Sequence, residues 1–154
     1  MSSYLNFYLV PQKTTNKYKN GVETEVKLSE GYPILFLSIS RASDVYRAFK
    51  ESLNVKFIGM GDEPEYQELT TNMVDEVISD WKRDIEDTEN TLSVNYKMLN
   101  NGAKPEDLWE DIHGLEKYLK EQKDTLAEII DIRRWVSECC DGYNQIEKVL
   151  INVD

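Results

Sequence analysis

Ile78, Ile85, Leu92 and Leu99 stand seven residues apart, and Val74, Trp81, Thr88 and Asn95 fill the complementary heptad position, so residues 74–99 carry a seam of period about 3.5. A stripe of that period is satisfied by a helix lying along another helix, because alone it would face water. A second register follows, with Leu108, Leu115, Gln122, Ile129 and Val136 at one position and Ile112, Leu119, Leu126 and Arg133 at the other. Between the two, Asn100-Asn101-Gly102 stops the first helix, glycine fitting the left-handed position that closes helices. Pro105, followed by Glu106 and Asp107, opens the second. So short a connection forces the helices antiparallel, and residues 72–138 read as a helical hairpin capped at Asn72.

The first sixty residues follow a different rule. Tyr4–Val10 is aromatic and β-favouring, and Asn20-Gly21 is a strong hairpin-turn signal because both residues tolerate positive φ. The return strand alternates Val22, Thr24, Val26 and Leu28 with Glu23, Glu25 and Lys27, one face for a core and one for water. After Gly31 and Pro33, the run Ile34–Ile39 is apolar enough to be the central, most buried strand. Ser43-Asp44 starts a short helix over 44–53, with Val45, Ala48, Phe49 and Leu53 on one face. Val55–Ile58 reads as an edge strand, residues 61–71 as an acidic linker, and Tyr143–Leu150 as a short helix returning Ile146, Val149 and Leu150 to the core. The fold class is therefore α+β. It comprises a small antiparallel β-meander with a short helix over 1–60, then the coiled-coil-like hairpin and a C-terminal helix over 72–154, in one folding unit.

Charge narrows the partners. The chain has 29 acidic and 18 basic residues for a net of −11, distributed as +3 over residues 1–60 and −14 over the rest. Such a field repels nucleic acid and anionic membranes and favours solubility or a basic partner, so direct nucleic-acid or membrane binding is not expected. The opening MSSYLNFYLVPQK lacks the basic region of a secretory signal, and no apolar run nears the ~20 residues of a membrane span, which points to the cytoplasm. Two adjacent cysteines, Cys139 and Cys140, are too few for a disulfide framework or a zinc site and are read as reduced thiols.

Catalytic signatures are scarce. Glu110-Asp111-Ile112-His113 is an E-x-x-H, but a carboxylate-bridged di-metal site needs two such motifs and His113 is the single histidine. A Ser-His-Asp or Cys-His arrangement would have to use that same residue, set among acidic neighbours. Gly59-Met60-Gly61 begins like a phosphate loop, yet Asp62 and Glu63 follow it and repel phosphate. No cofactor is implied, and the reading points away from an enzyme.

Three features suggest binding instead. Polar residues Thr88, Asn95, Gln122 and Arg133 within the seam trade stability for a fixed register or oligomeric state. Apolar residues beyond the seam, namely Val77, Tyr96, Met98, Trp109, Tyr118, Ile130 and Trp135, cover more faces than two helices can bury. Tyr96, Trp109, Tyr118, Ile130 and Trp135 are the candidate interaction surface. Lys13, Lys17 and Lys19, beside Tyr18, form a basic hairpin tip. The function that follows is protein–protein interaction or assembly, with self-association through the helical arms. One alternative is an acidic inhibitor, of the kind phages and mobile elements use as accessory proteins, that blocks a basic nucleic-acid-binding surface on its target. A second is a small-molecule binder with a pocket between sheet and hairpin lined by Phe36, Tyr46, Phe49 and Trp81.

Overall fold

The computed structural model describes residues 3–19, 21–30, 32–55, 66–139 and 146–154. Strand β1 (Tyr4–Lys19) turns at Gly21, whose φ of 77° is the positive value the Asn-Gly signal called for. Strand β2 (Val22–Glu30) returns along the outer half of β1, from Lys19↔Val22 to Gln12↔Glu30. Strand β3 (Ile34–Ser40) then continues in the same direction along the inner half, from Leu9↔Ile34 to Tyr4↔Ser40.

The C-terminal segment departs from expectation. Residues 146–153 form a strand, β5 (Ile146–Val153), and not a helix. The spacing of Ile146, Val149 and Leu150 suits a helix, but Val149, Ile151 and Val153 also alternate and two of them are β-branched valines. The open edge of β1 decides between the two patterns. β5 pairs with it from Leu5↔Val153 to Pro11↔Ile146, satisfying a ladder that would otherwise end in water. The sheet runs β2-β1-β5-β4 with β3 also on β1, all antiparallel, so it is not the simple meander the sequence suggested. A consequence is that Ile34–Ile39 is not central. β1 and β5 hold the middle, while Ile34 and Leu35 on β3 are 56% and 53% exposed. Strand β4 (Gln67–Leu69), inside the stretch read as a linker, adds to β5 through Gln67↔Ile151. Residues 56–65, which hold most of the expected strand Val55–Ile58 and the Gly59-Met60-Gly61 sequence, lie outside the described residues.

One face of the sheet supplies Leu5, Phe7, Val149, Ile151 and Val153 to the core. On β1, Asn6 points the other way. Its amide donates to Asn152 Oδ1 at 3.2 Å and its carbonyl oxygen accepts from the Ser38 hydroxyl at 2.7 Å, tying β5, β1 and β3 together. Helix α1 (Asp44–Leu53) starts where expected: the Ser43 hydroxyl accepts from the Val45 N–H at 3.2 Å. It drives Phe49 edge-on against Phe7, ring centroids 5.5 Å apart.

Helices α2 (Thr71–Asn100) and α3 (Pro105–Cys139) form the antiparallel hairpin, about 45 and about 52 Å long at 1.5 Å per residue. Thr70, not Asn72, caps α2: its hydroxyl accepts from the Met73 N–H at 3.3 Å. Gly102, at φ 95°, lies in the connection. The hairpin has two unequal cores. At its base, Val74, Val77, Trp81 and Ile85 of α2 and Ile129, Ile132 and Val136 of α3 pack onto the sheet and α1. Farther out, Leu92, Leu108 and Ile112 form a second, smaller cluster with Leu99, Ala103, Leu115 and Leu119 around them, and of these only Leu119 also reaches the main core. Along α3 the inward positions drift from Leu108 and Ile112 to Thr125, Ile129, Ile132 and Val136, leaving Leu126 and Arg133 half-buried on the flank. A helix of about 3.6 residues per turn slips against a strict heptad, and here the sheet adds a second surface to face. No described helix is long and apolar enough to cross a membrane.

Candidate docking surface on the helical arm

Beyond α1 and the sheet the hairpin projects as an arm, and most of the nominated surface residues lie along it. Tyr96, Trp109, Tyr118 and Ile130 are 41%, 53%, 38% and 38% exposed. Trp135 is the exception: partly buried, it packs against the main core and stacks on Phe36 with ring centroids 3.9 Å apart at 23°. Its off-seam spacing looked like surplus because the expected centre of the sheet was elsewhere. With β3 at the edge, Phe36 needs a cover, and Trp135 is that cover.

Helical phase sorts the remainder. At about 3.6 residues per turn, Tyr96 stands on one flank of the α2 seam and Val94 and Met98 on the other, and on α3 Trp109 and Glu116 stand opposite Tyr118. The Tyr96 hydroxyl donates to Glu116, which puts those two and Trp109 on one common flank. Tyr118 faces the other way, toward α1, across a cleft of about 360 Å³ that Arg47, Glu51, Asp84, Asp87, Thr88 and Gln122 also line. The α1 side is held by Arg47 over the Trp81 ring at 5.5 Å and by the Ser52 hydroxyl donating to Asp80 at 2.6 Å. The flank carrying Tyr96 and Trp109 is therefore the one turned away from α1. Val94 and Met98, 55% and 46% exposed, extend the apolar tip on the opposite side. Met98 stood out in the sequence; Val94 did not, although it lies one helical turn before Met98.

The open flank is ordered by its own contacts. His113 Nδ1 sits 3.8 Å from the Glu116 carboxylate, and Trp109 meets the His113 ring edge-on with centroids 4.7 Å apart. The hydrogen bond to Glu116, then partial burial, then the Glu116 charge raise the Tyr96 phenol above its ordinary pKa. Nearer the base, Arg133 Nε donates to Asp75 at 2.8 Å, and that bond with the Asp75 charge raises the guanidinium pKa. Three links thus pin α2 to α3, Tyr96–Glu116, Arg133–Asp75 and the Trp81 indole, which donates to the Gln122 carbonyl at 2.8 Å.

The polar seam residues behave differently from one another. Thr88 turns its hydroxyl back to the Asp84 carbonyl at 3.1 Å. Arg133 takes Asp75, as above, while Gln122 is 1% exposed and its Oε1 has no hydrogen-bond partner. Glu110 and His113 are both exposed on α3, and the carboxylate recorded beside His113 is that of Glu116. Among the described residues no group of three or more His, Cys, Asp or Glu is placed to hold a metal ion. Phe36, Tyr46, Phe49 and Trp81 all pack within or against the main core, Phe49 with no exposure at all, and of the four Trp81 also lines a cleft between α1 and α2, with Ala48, Ser52 and Asp80. Lys13, Lys17 and Lys19 fall on the outer half of β1, Lys17 opposite Thr24 and Lys19 opposite Val22, and their side chains lie outside the described residues. No protein-family model, curated protein or solved structure matches this chain.

Proposed function

We propose that the chain is a non-enzymatic protein–protein docking and assembly module whose contact element is the open flank of the helical arm. The observation that carries this reading is Trp109. A tryptophan 53% exposed, held in place by His113 and flanked by Tyr96, is a large apolar surface already fixed in orientation. Aromatic side chains of this kind dominate binding energy at interfaces, and fixing them beforehand lowers the entropy lost on association. The acidic face of the arm keeps it soluble while it waits for a partner.

The test is site-specific photocrosslinking in cells that make the chain. A benzophenone amino acid at position 109 is expected to give protein adducts of higher mass, and the same probe at Arg83, on the α1 side of the arm, is expected to give none. Absence of any adduct at 109 would overturn the reading.

A further inference from the structure

From the cleft between α1 and the arm we infer a second function, independent of the open flank: it binds a small linear diamine, held through its ammonium ends by the carboxylates of Glu51, Asp84 and Asp87 and by the side-chain oxygen of Gln122. The lining sets three carboxylates against the single guanidinium of Arg47, a surplus of two negative charges. That guanidinium is already engaged, 3.4 Å from Asp44 and over the Trp81 ring. Neighbouring bases do not make up the difference: Arg83 pairs with Asp80 at 3.6 Å, and Lys50 lies over the Tyr46 ring. On α3, Lys117 and Glu121 stand one turn apart beside Tyr118 and Gln122 and offset each other. Among the described residues, Glu51, Asp84 and Asp87 form no ion pair.

Acidity alone does not make a site, because acidic helix faces are commonly just solvated. Gln122 supplies the second observation. It lines the cleft one turn after Tyr118, is 1% exposed, and its Oε1 has no hydrogen-bond partner. A buried acceptor without a donor costs stability, and an N–H arriving from the cleft removes that cost. An ammonium group brings three such donors together with the charge that the carboxylates lack. Tyr118 adds an aromatic ring, which attracts cations. The spread of the acids then chooses between kinds of cation. Among the described residues no group of three or more acidic side chains converges to hold a metal ion, so Glu51 on α1 and Asp84 and Asp87 on α2 distribute their charge along the cleft. A chain with a charge at each end matches that distribution, and a volume of about 360 Å³ is of small-ligand size.

Isothermal titration calorimetry on the full chain at low salt tests the inference with putrescine, a linear diamine. One-to-one binding is expected, about tenfold or more tighter than that of magnesium ion or of Nα-acetyl-lysine methylamide, which presents one ammonium on a peptide unit. Glu51→Gln, Asp84→Asn and Gln122→Met are each expected to weaken putrescine about tenfold. Gln122→Met decides the matter, because it leaves the net charge unchanged and is expected to fold at least as stably as the wild type. Glu86→Gln removes one charge from α2 away from the cleft and is expected to bind as the wild type does. Putrescine bound no more tightly than magnesium, an unchanged affinity in Gln122→Met, or an equal loss in Glu86→Gln overturns the inference. Binding of the blocked lysine as tight as that of putrescine also overturns it, and assigns the cleft to a lysine side chain of another protein.

Discussion

Tyr96 spends its hydroxyl proton on Glu116, and the consequence can be titrated. The neutral phenol is the form that donates, so the folded-state pKa lies above the unfolded value near ~10. What this contact adds to stability is complete below that unfolded value and is lost as pH climbs through the raised folded one. Glu116→Gln is expected to bring the Tyr96 pKa down, read as the difference in tyrosinate absorbance between each protein and its Tyr96→Phe version. An unchanged titration would show that the carboxylate does not hold the phenol. Gln122 makes the opposite case, a buried acceptor with no donor in the seam. Gln122→Met keeps the length of the side chain and removes the unmet group, so it is expected to stabilise by about 1 kcal/mol and raise Tm by a few degrees. A lower Tm would mean that the amide makes a contact worth more than its desolvation costs.

At the scale of elements, the base and tip of the arm differ in what supports them. The base shares one large core with the sheet and α1, whereas the tip rests on Leu92, Leu108 and Ile112 and the residues around them. Amide exchange in the monomer is therefore expected to be faster over residues 92–112 than over 74–85 and 129–136, because local opening follows the density of buried contacts. Equal protection would contradict a tip held by two helices alone. The hairpin itself was legible in the sequence because period, stop and start agreed: heptads on both arms, Gly102 between them, Pro105 opening the second. The β1–β2 turn was equally plain at Asn20-Gly21. The place of β3 in the sheet and the strand character of β5 were not, for a physical reason. Local pattern states what a segment can do, while the place of a strand depends on which edge remains open, and the partner of β1 lies at the far end of the chain. The candidate surface shared that blindness. Tyr96 and Trp109 are where their off-seam spacing placed them, but Trp135 was spent on covering Phe36, a need invisible until β3 moved to the edge.

For the molecule as a whole, β5 is what makes the sheet and the hairpin one body. It pairs with β1 on one side and β4 on the other and sends Val149, Ile151 and Val153 into the core under the helices. Deleting residues 146–153 is expected to abolish cooperative thermal unfolding, and a truncated chain that still melts sharply near the wild-type Tm would show that the rest can close without it. Phe49→Ala, at the opposite side of the same core, is expected to cost about 3–5 kcal/mol while leaving the arm helical, a loss that circular dichroism and denaturant titration separate. The pairing of β1 with β5 also sets a clock on biosynthesis. The bond between Tyr4 and Asp154 joins residues 150 apart, and at about 5–20 residues per second a ribosome needs roughly 8–30 seconds to travel that distance. Throughout that interval one edge of β1 lacks its ladder, and Leu5 and Phe7 wait for the neighbour that only the translation of β5 delivers.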